Sequence, residues 1–327
     1  MILDGRDPSV IERAASALAA GELVALPTET VYGLGARADD DAAVAKIFEA
    51  KGRPADHPLI VHVADAESVR IFAAEVPPVA VRLVAHFWPG PLTIIVPRAA
   101  GIASAAAGGQ TSVGLRCPSH PVAHALLVAA REAGVPGVAA PSANRFGRIS
   151  PTRASHVADE FGDELLVLDG GPCDVGIESS IVDCTRQHPV LLRPGVLTRA
   201  EIEAVAGEPL LDRDENAPKA SGTLEAHYAP RALLRLMPRT QLQTALQMLA
   251  GSPLKLAVYS RVAPSGTTEG MRHRAMPERA TDVAHELFSV LRAFDDEGVQ
   301  LIWVEEPPAT PEWEGVRDRL RRAAASR

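Results

Sequence analysis

Hydrophobic and polar positions follow two different periods along the first two hundred residues. After Asp7-Pro8, an N-cap followed by proline at the first helical position, Ile11, Ala15 and Leu18 recur at helical spacing up to Gly21. The apolar run Leu23-Val24-Ala25-Leu26 reads as a buried strand stopped by Pro27. A second helix is expected over 40–51, from an aspartate run to the stop signal Lys51-Gly52. Strands are predicted at 59–64, 92–97, 111–116, 138–142, 165–169, 180–183 and 190–193, with helices near 66–74, 78–87, 121–133 and 152–160. Strands and helices interleave, and several strand pairs lack a helix between them. The pattern predicts an α/β fold, a twisted mixed sheet with helices packed on it.

Between 207 and 231 the periodicity fails. GEPLLDRDENAPKASGTLEAHYAP is polar, with three prolines and two glycines, and reads as a linker. Regular patterning resumes with strands at 233–237, 254–260 and 300–305 and helices at 240–250, 281–295 and 312–324, a small Rossmann-like domain. The expected organisation is a larger domain at 1–206, a linker at 207–231 and a C-terminal domain at 232–327.

Composition narrows the function. The 327 residues suffice for two domains, and 46% hydrophobic residues allow a large core. A net charge of −8 argues against stable, non-specific nucleic-acid binding. The three cysteines, 117, 173 and 184, form no CxxC pair and fit a reducing compartment. The N-terminus carries Asp4, Arg6, Asp7 and Glu12 in place of a signal-peptide apolar core, and no apolar run is long enough to span a bilayer. A cytoplasmic location is expected.

Several familiar motifs are absent or unconvincing. No Lys follows a Gly, which removes a Walker-type phosphate loop, and GxSxG is missing. Gly33-Leu-Gly35-Ala-Arg-Ala38 fits GxGxxA, but six residues separate it from the strand end, so the glycines read better as a turn beside a pocket. Cys117, His120 and His124 have metal-like spacing without an acidic partner; a helix start with a buried thiol explains them more simply. Other segments converge. Thr28, Glu29, Thr30 and Tyr32 follow a buried strand directly. Lys51 and Arg53 sit at a helix end, where the dipole favours cations. His62 lies between Val61 and Val63 in a strand. Ser142 and Asn144, and Glu178 to Ser180, flank strand ends, while Arg116 and Arg193 close strands next to proline. Hydroxyls and arginines at sheet ends point to an anionic ligand.

Taken in order, PTETVYGLG, KGRP, HPLIVH, PGPLTIIV, VGLRCP, APSAN, ESSIVD and LLRPG resemble the YrdC-type threonylcarbamoyl-AMP synthases, and the linker ending in HYAP with its trailing domain resembles the long, two-domain form. The resemblance covers nearly the whole chain and is weakest over 233–327. It implies a YrdC-like fold and the condensation of L-threonine, bicarbonate and ATP into threonylcarbamoyl-AMP and pyrophosphate. Magnesium would be carried on the ATP phosphates, with no metal site of the protein's own. The product would pass to a partner tRNA threonylcarbamoyl-transferase complex. Lys51, Arg53, Ser142 and Asn144 match the family's Lys-x-Arg and Ser-x-Asn signature around the triphosphate. By similarity, ATP would also touch His57, Ser112, Ser150, Arg193 and Tyr228, and threonine would meet Thr30, His62, Arg116, Ala140 and Ser180. His57 stands where the family often has Asn, and Glu225 where related linkers are often more basic. The resemblance also implies that the linker forms a lid over the site. The rival from another class is an RNA-binding or ribosome-associated protein using the same concave surface, which would show steep salt dependence. Related carbamoyl-transfer enzymes carry zinc-finger segments that this chain lacks, and nicotinamide chemistry has only the weak glycine motif behind it.

Overall fold

The computed structural model describes residues 1–325. It divides into two units, one formed by 1–146 and 150–223, the other by 147–149 and the chain from Leu224 onward.

The larger unit carries β1 (Ile2–Asp4), β2 (Val24–Leu26), β3 (Gly33–Arg37), β4 (Ile60–His62), β5 (Leu92–Pro97), β6 (Ser112–Arg116), β7 (Val138–Ala139), β8 (Leu166–Asp169), β9 (Ser180–Asp183), β10 (Val190–Arg193) and β11 (Leu211–Asp212). Among the described residues these form one sheet in the order β1-β8-β2-β3-β7-β4-β6-β5-β9-β10-β11. It is mixed: β4 and β6 run parallel, while β6 and β5 run antiparallel. The α/β class and mixed sheet expected from the hydrophobic pattern are both present.

Two-residue alternation decides what each face displays. In β6, Val113 and Leu115 enter the main core, which leaves Ser112, Gly114 and Arg116 on the opposite face. In β4, Val61 joins the same core and His62 takes the other side with Ile60. The register sets Ile60 beside Gly114 and His62 beside Arg116. Ile60, Ile95, Ile181, Val190 and Leu192 form a small apolar cluster, against which Ala217 and Ala220 pack. Helices Pro8–Ala19 and Pro121–Glu132 bury Leu18, Leu126 and their neighbours against Val24 and Leu26. The Asp7 carboxylate accepts from Ser9 N at 2.9 Å and caps the first helix.

Some local expectations fail. The glycine-rich stretch after Tyr32 is strand β3, not a turn. Gly33 pairs with Leu26 and Gly35 with Val24. A Cβ on Gly35 would lie 2.8 Å from Val138 Cγ1 and 3.0 Å from Leu26 Cδ2, so this glycine serves close packing within the sheet. With the chain in a sheet interior, the dinucleotide reading loses its basis. The helix expected at 66–74 shrinks to Val69–Phe72, and the strand at 138–142 ends at Ala139. A helix not anticipated, Arg199–Ala206, starts from a reciprocal capping box between Thr198 and Glu201.

The second unit carries β12 (Leu233–Met237), β13 (Leu256–Ser260), β14 (Arg272–Ala275) and β15 (Leu301–Glu305), all parallel, in the order β12-β15-β13-β14. Helices Arg239–Met248, Ala280–Asp296 and Glu314–Ala324 complete this Rossmann-like unit. Among the described residues no helix is long and apolar enough to cross a membrane.

Candidate active site

Pro27 ends β2, and the next residues fold into a turn organised by one hydroxyl. Thr28 Oγ1 donates to Val31 O at 2.6 Å and accepts from Val31 N at 3.1 Å and Thr30 N at 3.2 Å. The same oxygen meets Thr30 Oγ1 at 2.9 Å, which fixes Thr30 for a bond from Arg116 Nη1 at 2.8 Å. Arg116 Nε donates to Gly90 O at 3.3 Å, and Nη2 lies 2.8 Å from Glu29 Oε1. Both side chains of this ion pair are more than nine-tenths buried. Glu29 Oε2 accepts from Ser119 N at 3.2 Å. Tyr32 belongs to the scaffold: it is buried and its hydroxyl donates to Gly171 O at 2.7 Å.

His62 stands beside Arg116 in the neighbouring strand and is 3% exposed. Burial, then the Arg116 charge, pushes its pKa down to about 3, so the ring is neutral at physiological pH. Its Nδ1 has no hydrogen-bond partner. Ala140 N donates to Ile60 O at 3.0 Å, holding the next loop against β4. Gly90 and Pro91 join the far side of this region: Gly90 O takes Arg116, and Pro91 O takes Ser180 N at 3.0 Å. Thr30, His62, Arg116, Ala140 and Ser180 thus lie along adjoining strand ends.

The Lys-x-Arg and Ser-x-Asn segments are physically joined. Helix Asp41–Lys51 ends at Gly52, whose left-handed backbone (φ 63°) turns the chain toward Arg53. Lys51 Nζ, 3% exposed, donates to Ser142 O at 2.6 Å and to Asn144 O. Burial, with Arg53 close by, holds its pKa well below the usual lysine value. Phe146 N returns a bond to Lys51 O at 2.9 Å. Arg53 Nη2 donates to Pro58 O at 2.9 Å, and its guanidinium lies 5.8 Å from the centre of the Phe146 ring. His57 approaches the same ring, with centroids 5.6 Å apart.

A shallow cavity of about 280 Å³, solvent mouth included, opens on the sheet face between Ile60, Thr93, Ser112, Gly114, Ile181 and the linker residues Lys219 to Ser221. Linker and sheet are stitched together there. Lys219 N donates to Gln110 Oε1 at 2.9 Å, Gln110 Nε2 donates back to Lys219 O at 3.2 Å, and Lys219 Nζ meets Asp56 at 2.6 Å. Arg193 Nη1 donates to Ser221 O at 2.8 Å, and its Nε and Nη2 reach Ser179 O and Oγ. Ser179 Oγ meets Thr93 Oγ1 at 2.7 Å, and Ser150 Oγ donates to Glu178. Tyr228 lies in the second unit, 1% exposed, with φ 63°, stacked on Phe288 and beneath Arg319.

Thr93 and Ser221 were not singled out by their sequence positions, and Glu29, Glu178 and Ser179 were noted there without an individual role. Glu29 and Glu178 carried a usable signal, each a lone carboxylate among small polar residues at a strand boundary. The Cys117–His120–His124 spacing is a helix start: His120 Nδ1 accepts from Val122 N, and Cys117 is buried with its pKa pushed up to about 11. Among the described residues no three His, Cys, Asp or Glu side chains are grouped to hold a metal.

Four buried basic side chains, Lys51, Arg53, Arg116 and Arg193, surrounded by hydroxyls and carbonyls at the ends of a mixed sheet, make a candidate site suited to anionic ligands. The comparisons give the chain its family. Residues 16–195 match the Sua5/YciO/YrdC family model, described as telomere recombination, and 197–325 match the model described as threonylcarbamoyl-AMP synthase, C-terminal domain. A threonylcarbamoyl-AMP synthase of Pyrococcus abyssi is 39% identical over 97% of this chain and 94% of its own length. One from Bacillus subtilis is 39% identical over 99% and 95%. The structure of Pyrococcus abyssi Sua5 complexed with L-threonine superimposes with a TM-score of 0.88 at 37% identity, covering 97% of this chain and 95% of that one. The chain belongs to the threonylcarbamoyl-AMP synthase family, enzymes of the nucleotidyltransferase type.

Proposed function

We propose that this enzyme condenses L-threonine, bicarbonate and ATP into threonylcarbamoyl-AMP, releasing pyrophosphate, and that the product serves threonylcarbamoylation of tRNA adenosine by a partner transferase complex. The observation that carries the reading is the coupling of Lys51 to the Ser142 and Asn144 carbonyls, in a unit that also pairs buried Arg116 with His62. Threonine bound to the Pyrococcus abyssi relative supports the amino acid.

Threonine nitrogen is first carboxylated to a carbamate. A carbamate oxygen then attacks the α-phosphorus, and the bond to the bridging oxygen breaks into pyrophosphate. No protein nucleophile is needed, so the residues work by holding the partners in line and offsetting charge. Arg116 is suited to a carboxylate, while Thr30 and Ser180 offer hydroxyls and neutral His62 an acceptor nitrogen. Lys51, Arg53 and Arg193 suit phosphate oxygens, with His57, Ser112, Ser142, Asn144, Ser150 and Tyr228 as further nucleotide contacts. Magnesium would enter on the phosphates of ATP. When bound, the ion neutralises phosphate charge. The linker over the sheet face, closed down by Lys219 and Ser221, suits a lid that shields the labile carbamate from water.

The test is pyrophosphate release by the purified chain with magnesium ATP, varying threonine and bicarbonate. Release that needs both, with the adenylate seen by mass spectrometry, is expected. Turnover indifferent to threonine in folded protein overturns the reading.

A further inference from the structure

Resting on that reading, we infer that Glu29 binds the α-ammonium of the incoming amino acid and takes the proton that must leave before the nitrogen is carboxylated. The starting observation is an unfinished ion pair. Glu29 Oε1 and Arg116 Nη2 lie 2.8 Å apart, yet neither atom has an aligned hydrogen bond, and both are buried. A buried charged group without its full set of hydrogen bonds is costly, so such a pair is poised for a third participant.

The charges fit one kind of guest. Arg116 and Glu29 together are neutral, and neutral His62 beside them adds no charge. A zwitterion carries carboxylate and ammonium on one carbon and matches the pair group for group: carboxylate to guanidinium, ammonium to Glu29 Oε1. An Arg116 site without Glu29 would bind any carboxylate of similar shape. The orphan His62 Nδ1 and the Thr30 hydroxyl remain for the substrate hydroxyl.

The chemistry needs such a base. An ammonium has no lone pair, so one N–H proton passes to the Glu29 carboxylate and leaves a neutral amine. That amine attacks the bicarbonate carbon; the C–OH bond breaks, and the departing hydroxide takes the nitrogen's second N–H proton and leaves as water, giving the carbamate. Glu29 returns its proton to solvent when the site opens. The carboxylate is fixed for this role by Ser119 N on Oε2 and by Val175 N, which bonds the Glu29 carbonyl at 2.7 Å.

The experiment compares L-threonine with 3-hydroxybutyrate, the same molecule without its amine, on the full chain. Calorimetry should show the unaltered protein preferring threonine by about 30-fold or more, the worth of a charge-assisted contact. In Glu29→Gln this preference should fall to a few-fold and kcat should drop about 100-fold or more. Glu29→Asp, which keeps the charge, should retain the preference at a reduced rate. A purely structural Glu29 would weaken both ligands alike. Preference intact in Glu29→Gln, or kcat within threefold of the parent, overturns the proposal while leaving the functional reading standing. No threonine-dependent turnover in the unaltered chain removes both.

Discussion

Gly195→Ala puts the positioning of Ser180 to a direct test. Gly195 follows Arg193-Pro194 at the end of β10, and its backbone lies in a region open to any residue. The obstacle is space. A Cβ at this position would stand 2.5 Å from Ser180 N, 2.7 Å from Ser180 Oγ and 3.0 Å from Glu178 O. Ordinary contact begins near 3.4 Å, so the two backbones must separate by about 0.9 Å (3.4 less 2.5). Ser180 is fixed by its bond to Pro91 O and cannot slide freely along the sheet. Overpacking of this kind costs roughly 1–3 kcal/mol. At roughly 2–4 °C per kcal/mol the midpoint of unfolding should fall by about 2–12 °C. The larger effect is chemical if Ser180 holds threonine as proposed: a displacement approaching 1 Å in a substrate-orienting group costs up to about 100-fold in turnover. Calorimetric unfolding and pyrophosphate release measured side by side should therefore show kcat/KM for threonine falling far more than stability. An alanine variant with parental melting and parental kinetics would refute the argument, because the turn would then have room that the structure denies it.

Three further outcomes follow from the site. Lys51→Met strips a buried donor from the Ser142 and Asn144 carbonyls and should cost about 2–5 kcal/mol in urea unfolding and at least about 100-fold in turnover; an active, fully stable variant would sink it. His62 has a folded pKa of about 3, below its unfolded value, so the folded state binds fewer protons and stability falls as pH drops from about 6.5 toward 3, at up to about 1.4 kcal/mol per pH unit. Urea unfolding of His62→Gln between pH 6.5 and 4.5 (about the span of an ordinary titration) should show a shallower fall; equal slopes would contradict the burial argument. Lys219→Ala breaks an exposed, solvent-screened ion pair, so the melting point should hardly move while broad-specificity proteolysis across 213–223 quickens; unchanged cleavage would mean the linker is held elsewhere.

How much of this was legible depends on where each signal resided. The run SVGLR could be read as a strand with Ser112 and Arg116 on one face because its alternation is local. Lys51-x-Arg53 and Ser142-x-Asn144 could be paired only through family resemblance, since the bond between them spans 91 residues. Strand β3 was missed because glycine signals both turns and tight sheet packing, and only the neighbour, Val138 here, distinguishes them. Strand β14, Arg-His-Arg-Ala, is exposed throughout, so no buried face imposes an alternation to read. Glu29 was quoted at once but left without a role, because its partner Arg116 is brought to it by two strands that are not adjacent in the chain.

The assignment of Gly147–Ile149 to the second unit bears on the order in which the molecule matures. This short stretch lies between Asn144 and Ser150, yet Gly147 O accepts from Ala229 N at 2.8 Å, Arg148 meets Asp295 at 3.5 Å, and Ile149 O takes a bond from Arg292. A chain emerging from the ribosome makes these three residues early and the groups that hold them much later. Until position 295 has been synthesised, the loop joining Asn144 to Ser150 lacks its anchors. The nascent chain thus carries 147–149 as an unanchored stretch until the rest of its own unit has been made.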